Sequence, residues 1–161
     1  EIYSLSLHDA LPIWERLRPF LAEENVSCPQ DEAWVSKALD VFKPYMETLV
    51  DGVSLFKPVD DKHYAIQEEG REALGWETSR KVLEAWKAGL QKQGEYLTGE
   101  EFESLQNTIK ETQAVKGKQL FMPIRVAVIG KPHGSELKTL VPLIHRDSLV
   151  RRVDICLAEC R

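Results

Sequence analysis

The side chains of this sequence with the widest chemical reach are its cations, and they are unevenly placed. Residues 114–161 hold nine Lys or Arg (Lys116, Lys118, Arg125, Lys131, Lys138, Arg146, Arg151, Arg152 and Arg161) against four acids, a net +5 in a chain whose total is -5. The other residues therefore carry -10. Such a split fits a basic surface for a polyanion set beside an acidic body; chance clustering on solvated helix faces is the plainer alternative. Other chemistry is thin. Cys156, Cys160 and His145 can be drawn as a metal site, but three ligands without a clear fourth do not make one. The histidines are scattered, and no Ser-His-Asp or Cys-His pairing has local support. There is no glycine-rich phosphate loop and no strand–helix alternation that would build a nucleotide site. No catalytic and no metal-ligating residue is assigned.

The elements that must position these cations read as helices with breaker-rich joints. Trp14 opens a short helix with Leu17, Phe20 and Leu21 on one face, bent by Pro19. Pro29, Asp31 and Glu32 form a helix entry, and Trp34, Val35, Ala38, Leu39 and Phe42 follow as an apolar stripe that Lys43-Pro44 ends. Thr48 caps a helix with Leu49, Val53 and Phe56; residues 57–72 read as a loop with a short helical piece. Trp76, Leu83, Trp86 and Leu90 mark a longer amphipathic helix that Gly94 should stop. Thr98 and Glu101 have capping-box spacing before Phe102, Leu105 and Ile109. Trp34, Trp76 and Trp86 are expected in the core. The run FMPIRVAVIG is ambiguous: its β-branched residues favour a strand, whereas Pro123 and Gly130 bracket it as they would a helix. Ser135 offers an N-cap for a helix through Leu137, Leu140, Val141 and Ile144. Asp147 or Ser148 opens the last helix, with Leu149, Val150, Val153 and Leu157 inward and Arg151 and Arg152 pointing elsewhere.

At 161 residues the chain suffices for one compact domain or two small ones. No run approaches the roughly 18 apolar residues of a membrane-spanning helix. Three cysteines do not form a disulfide scaffold and fit a reducing, cytoplasmic setting. Residues 4–13, SLSLHDALPI, closely resemble the conceptual translation of a common DNA-sequencing adapter, so residues 1–13 are expected to be foreign to the protein. On that reading a helical body occupies 14–113 and a basic subdomain 114–161.

The segment from Gly117 to Val153, GKQLFMPIRVAVIGKPHGSELKTLVPLIHRDSLVRRV, resembles the terminal module of class I glutamyl-tRNA synthetases. Pro123-Ile124-Arg125 supplies the family's proline–apolar–arginine signature, Ile129-Gly130 its helix end, and Arg152-Val153 its final basic helix. Looser matches extend the resemblance over residues 14–155. It implies an all-α fold of two small helical subdomains, makes 123–129 a helix, and implies a C-terminal part that binds the anticodon loop of glutamate tRNA. The family's catalytic half carries H-I-G-H and K-M-S-K-S signatures, and neither occurs here. The resemblance therefore places ATP, Mg and the ligase chemistry in the catalytic domain of a parent enzyme, itself expected to be monomeric, and no cofactor in this part.

The same resemblance assigns Arg125 as the principal anticodon reader: its guanidinium can donate to a base edge or stack on it. Gly134, Ser135 and Leu137 match the turn and helix start that contact anticodon bases. Lys116, Lys118, Lys131, Arg151 and Arg152 would attract phosphates. Where many members carry a basic residue before Thr-Leu, this sequence has Lys43-Pro44-Tyr45-Met46-Glu47. Tyr45 can stack on a base but cannot make the bidentate contact, which puts discrimination between glutamate and glutamine tRNAs in question. The competing reading is an independent helical protein-interaction module without a nucleic-acid role, whose sign would be an exposed apolar patch.

Overall fold

The computed structural model describes residues 7–160, and among them there are helices and no strands. The regular elements are α1 (Leu7–Glu23), α2 (Glu32–Phe42), α3 (Leu49–Phe56), α4 (Glu68–Leu74), α5 (Ser79–Gln91), α6 (Gly99–Gln113), α7 (Lys118–Ile129), α8 (Leu137–Leu140) and α9 (Arg146–Glu159), with 3-10 turns between several of them. The chain divides into two compact units at the His63–Tyr64 junction. The boundary expected at 113/114 falls inside the second unit, where α6 and α7 are in contact.

In the first unit α1 packs on α2 and α3. The α2 stripe buries Trp34, Val35, Ala38, Leu39 and Phe42, and Asp31 caps it by accepting from the Trp34 N–H. Phe56 is the hub of the apolar centre, with ring centroids 5.7 Å from Trp14, 6.0 Å from Trp34 and 4.8 Å from Phe42. The α3 start is tightened by Asp51, whose carboxylate accepts from the Glu47 and Thr48 N–H groups and is held below its usual range by those bonds. Asp60, buried, accepts from the N–H groups of Ser27 and Lys62 and so joins the two loops beside this core. Residues 7–13, expected to be foreign, form the first turns of α1, which starts at Leu7 rather than Trp14; this bears on their conformation, not their origin. Residues 1–6 and 161 lie outside the described residues.

The second unit is built around α7, which touches α4, α5, α6 and α9 and buries Leu120, Pro123, Ile124, Val126, Ala127 and Val128. Burial on so many sides explains why the run reads as a strand: a helix packed nearly all round needs no polar face and so loses its amphipathic period. Pro123 removes the N–H that would bond the Gln119 carbonyl, but Gln119 is exposed, so water can take the orphaned acceptor. α6 begins with the expected capping box: Thr98 Oγ1 accepts from the Glu101 N–H, and the Glu101 carboxylate from the Thr98 N–H.

Several local expectations fail for identifiable reasons. Trp76 lies half-buried in the turn before α5 rather than on its stripe. Ser135 does not cap α8; Glu136 is the N-cap, and Pro142 confines that helix to Leu137–Leu140 before a 3-10 turn. The last helix starts at Arg146, capped by His145 Nδ1, which accepts from the Asp147 N–H. Gly130 ends α7 in the left-handed conformation (φ 82°), and a Cβ there would overlap the Ala65 carbonyl oxygen. Gly130→Ala is therefore expected to lower unfolding stability by more than about 2 kcal/mol, measured as a urea midpoint. A shift within ±0.5 kcal/mol would contradict this account.

Candidate nucleic-acid interface

Arg125 projects from the exposed strip of α7. Its Nη1 donates to the Ser135 carbonyl at 2.8 Å, which orients the guanidinium plane and leaves the other donors of the fork for a ligand. Partial burial pulls the guanidinium below its ordinary pKa, yet an arginine stays charged at neutral pH. The residue borders an open depression of about 180 Å³ together with Phe102, Glu103, Gln106, Phe121, Glu136, Leu137 and Lys138. Lys138 Nζ lies 3.1 Å from Glu103, and that hydrogen bond, followed by the charge of the same carboxylate, raises the lysine's pKa.

The turn from α7 to α8 forms one side of this site. Gly134 takes φ 133°, a region that disfavours side chains, and Lys131 folds back over it. Ser135 contributes its backbone carbonyl to Arg125 rather than its hydroxyl to a helix cap. Leu137 is buried and floors the depression. Arg125, Ser135 and Leu137 thus come together, with Gly134 adjacent in the turn. Lys116 and Lys118 are exposed beside the N-terminus of α7. Cations are not favoured at that end of a helix dipole, so their placement does not serve helix stability. Arg151 is exposed on α9, with Nη2 donating to Ser148 Oγ. Tyr45 belongs to the first unit, 68% exposed on a 3-10 turn.

Arg152 corrects the sequence reading. It is 1% exposed, so it cannot meet a phosphate from its place in the core. Its Nη1 donates to the Val128 carbonyl at 2.8 Å, and its guanidinium lies 5.2 Å from the Tyr64 ring centroid. Tyr64 Oη donates to the Val126 carbonyl at 2.8 Å and sits 3.2 Å from Cys156 Sγ. Both groups thus bond carbonyls at the carboxyl end of α7: Tyr64 adds a second donor to Val126, which also accepts the Gly130 N–H, and Arg152 supplies a donor to Val128. Burial pushes the Cys156 thiol up to about 12, so it is protonated and neutral at ordinary pH. Val150 and Leu157 are half-buried, and Cys156 takes the inward place beside Leu149 and Val153.

Phe121 was not anticipated. It is 47% exposed and lies one turn before Arg125. The available signal was helical spacing: Lys118, Phe121 and Arg125 recur at i, i+3 and i+7, which places them on one face once 118–129 is read as a helix.

A model of the anticodon binding domain family matches residues 12–157. The glutamate--tRNA ligase of Bdellovibrio bacteriovorus is 53% identical over 154 residues, covering 93% of this chain and 31% of that protein. Glutamate--tRNA ligase 2 of Syntrophus aciditrophicus is 27% identical over 153 residues, again covering 93% and 31%. The chain thus spans about a third of the length of these curated relatives. Among solved structures, a glutamate tRNA ligase from Elizabethkingia meningosepticum superposes with a TM-score of 0.78 at 14% identity, covering 94% of this chain and 30% of that one. At that identity the likeness concerns the fold alone.

Replacing Arg152 tests its structural role. Arg152→Met keeps an unbranched apolar stem but leaves the Val128 carbonyl without its buried donor, and should cost about 2–4 kcal/mol in urea unfolding. An unchanged midpoint would show that the guanidinium does not hold the end of α7.

Proposed function

The chain belongs to the anticodon binding domain family, and from that premise we propose that it binds the anticodon loop of glutamate tRNA as the non-catalytic C-terminal part of a glutamate-tRNA ligase. The observation that carries this reading is Arg125: a half-buried guanidinium, oriented by the Ser135 carbonyl and facing an open depression with donors to spare. A single-stranded loop can splay its bases so that their edges reach such a group, while phosphates are attracted by cations outside the depression. Lys116, Lys118, Lys131 and Arg151 are the cations for that second task; Arg152 is withdrawn from it. Tyr45 would act separately, as a stacking surface of the first unit. The ATP and Mg required for attachment of glutamate would be held by the catalytic part of the ligase, which also supplies the reaction. A cytoplasmic location and a monomeric ligase complete the proposal; no helix among the described residues is long and apolar enough to cross a membrane. The family match and the relatives' names favour this reading over an independent protein-interaction module.

Binding of a glutamate tRNA transcript, followed by fluorescence anisotropy across a salt series, tests the proposal. Affinity should fall steeply with salt because cations displaced from phosphates drive much of it. Arg125→Ala should weaken binding by roughly 5- to 100-fold. Neutralising Lys116, Lys118 or Lys131 with Gln should each flatten the log–log salt slope by about one. Full affinity in a folded Arg125→Ala chain would remove that residue from the interface.

A further inference from the structure

We infer that Phe121 is the stacking platform for one unstacked base of the bound loop, with Arg125 placed at that base's edge. This rests on the function proposed above and assigns it a residue that neither the motif nor the charge pattern marks. A singly exposed aromatic is ordinary on a protein surface, so exposure alone does not carry the inference. What carries it is the company Phe121 keeps. On α7 its neighbours Leu120, Pro123 and Ile124 are buried, whereas Phe121 is turned out with Lys118 and Arg125. Phe121 and Arg125 line the same depression, four residues and so about 6 Å apart along the helix.

The charges of that depression decide what kind of group it suits. Its lining includes two cations, Arg125 and Lys138, and two carboxylates, Glu103 and Glu136, with Lys138 already paired to Glu103. The formal sum is zero. A phosphate would meet two carboxylates at close range, which is unfavourable. A neutral planar heterocycle would find a flat apolar face in Phe121, donors in Arg125, and carboxylate acceptors for its own N–H groups. The volume, about 180 Å³, is below the roughly 300 Å³ at which pockets begin to enclose drug-sized ligands, and suits a single base. Phosphate attraction and base reading are thereby separated in space: the former falls to the exposed lysines, the latter to a neutral notch on α7.

The test uses the whole chain and an RNA stem-loop carrying the anticodon arm sequence of glutamate tRNA, with a companion series in which each loop base in turn is removed to leave an abasic site. Phe121→Ala should weaken binding of the intact stem-loop about 5- to 100-fold, the range for loss of one stacked base, and leave the salt slope unchanged. Phe121→Tyr should bind as the parent chain does. Phe121→Leu, which keeps apolar volume without a flat ring, should lose as much as alanine; it also keeps the test decisive if the alanine chain folds poorly. At one loop position, removal of the base should weaken the parent chain but have no further effect on Phe121→Ala. If Phe121→Ala and Phe121→Leu bind normally, or if every abasic loop penalises parent and variant equally, the stacking role is overturned while the proposed function stands. A parent chain that binds the stem-loop no better than a scrambled one overturns both.

Discussion

The second unit depends on how the carboxyl end of α7 is closed. A helix buried on most sides brings its last carbonyls into the interior, where each must find a donor or cost the free energy of an unmet hydrogen bond. Val126 receives the Gly130 N–H and the Tyr64 hydroxyl, Val128 receives Arg152, and the Gly130 carbonyl receives the Gln67 N–H at 2.8 Å. Apart from the Gly130 N–H, these donors come from the segment before α4 and from α9, so the chain ends of the unit are tied to its central helix through polar groups, not only through packing. A cation at the negative end of the helix dipole adds to the same effect. The arrangement fixes the height and rotation of α7, and with them the direction in which its exposed strip faces.

Charge is distributed on two scales that do different work. Across the sequence, an acidic portion stands against a basic C-terminal third. Within the depression beside Arg125, opposite charges alternate at short range and largely cancel. Long-range attraction of a polyanion needs the first kind of asymmetry; discrimination among neutral groups needs the second, because a net local charge would hold any phosphate regardless of the base attached to it.

Much of this was legible in the sequence where a residue's role follows from spacing. The α2 stripe, the Thr98–Glu101 capping box and the Gly130 helix end each depend on neighbours a turn or less away, and each forms where expected. A motif singles out Arg125 in the sequence, and its position beside Ser135 follows from the turn that joins α7 to α8. What spacing could not show is which arginine is withdrawn from solvent. Arg151 and Arg152 are adjacent on α9, but one faces water and the other the α7 carbonyls. Only the tertiary arrangement, in which another helix ends opposite that position, separates them. Phe121 was hidden by the reverse difficulty: aromatics on helical stripes are usually core, and this one lies on the narrow strip the core leaves uncovered.

The bond from Arg125 to the Ser135 carbonyl spans ten residues of chain, and between them lie the Gly130 helix end and the tight Gly134 turn. That connection is a ruler as much as a tether. One residue more would let the strand of backbone bulge into water with every buried contact of α7 and α9 intact, yet Ser135 would slide out of register with the guanidinium. The fold would survive such an insertion, while the aim of its central side chain would be lost.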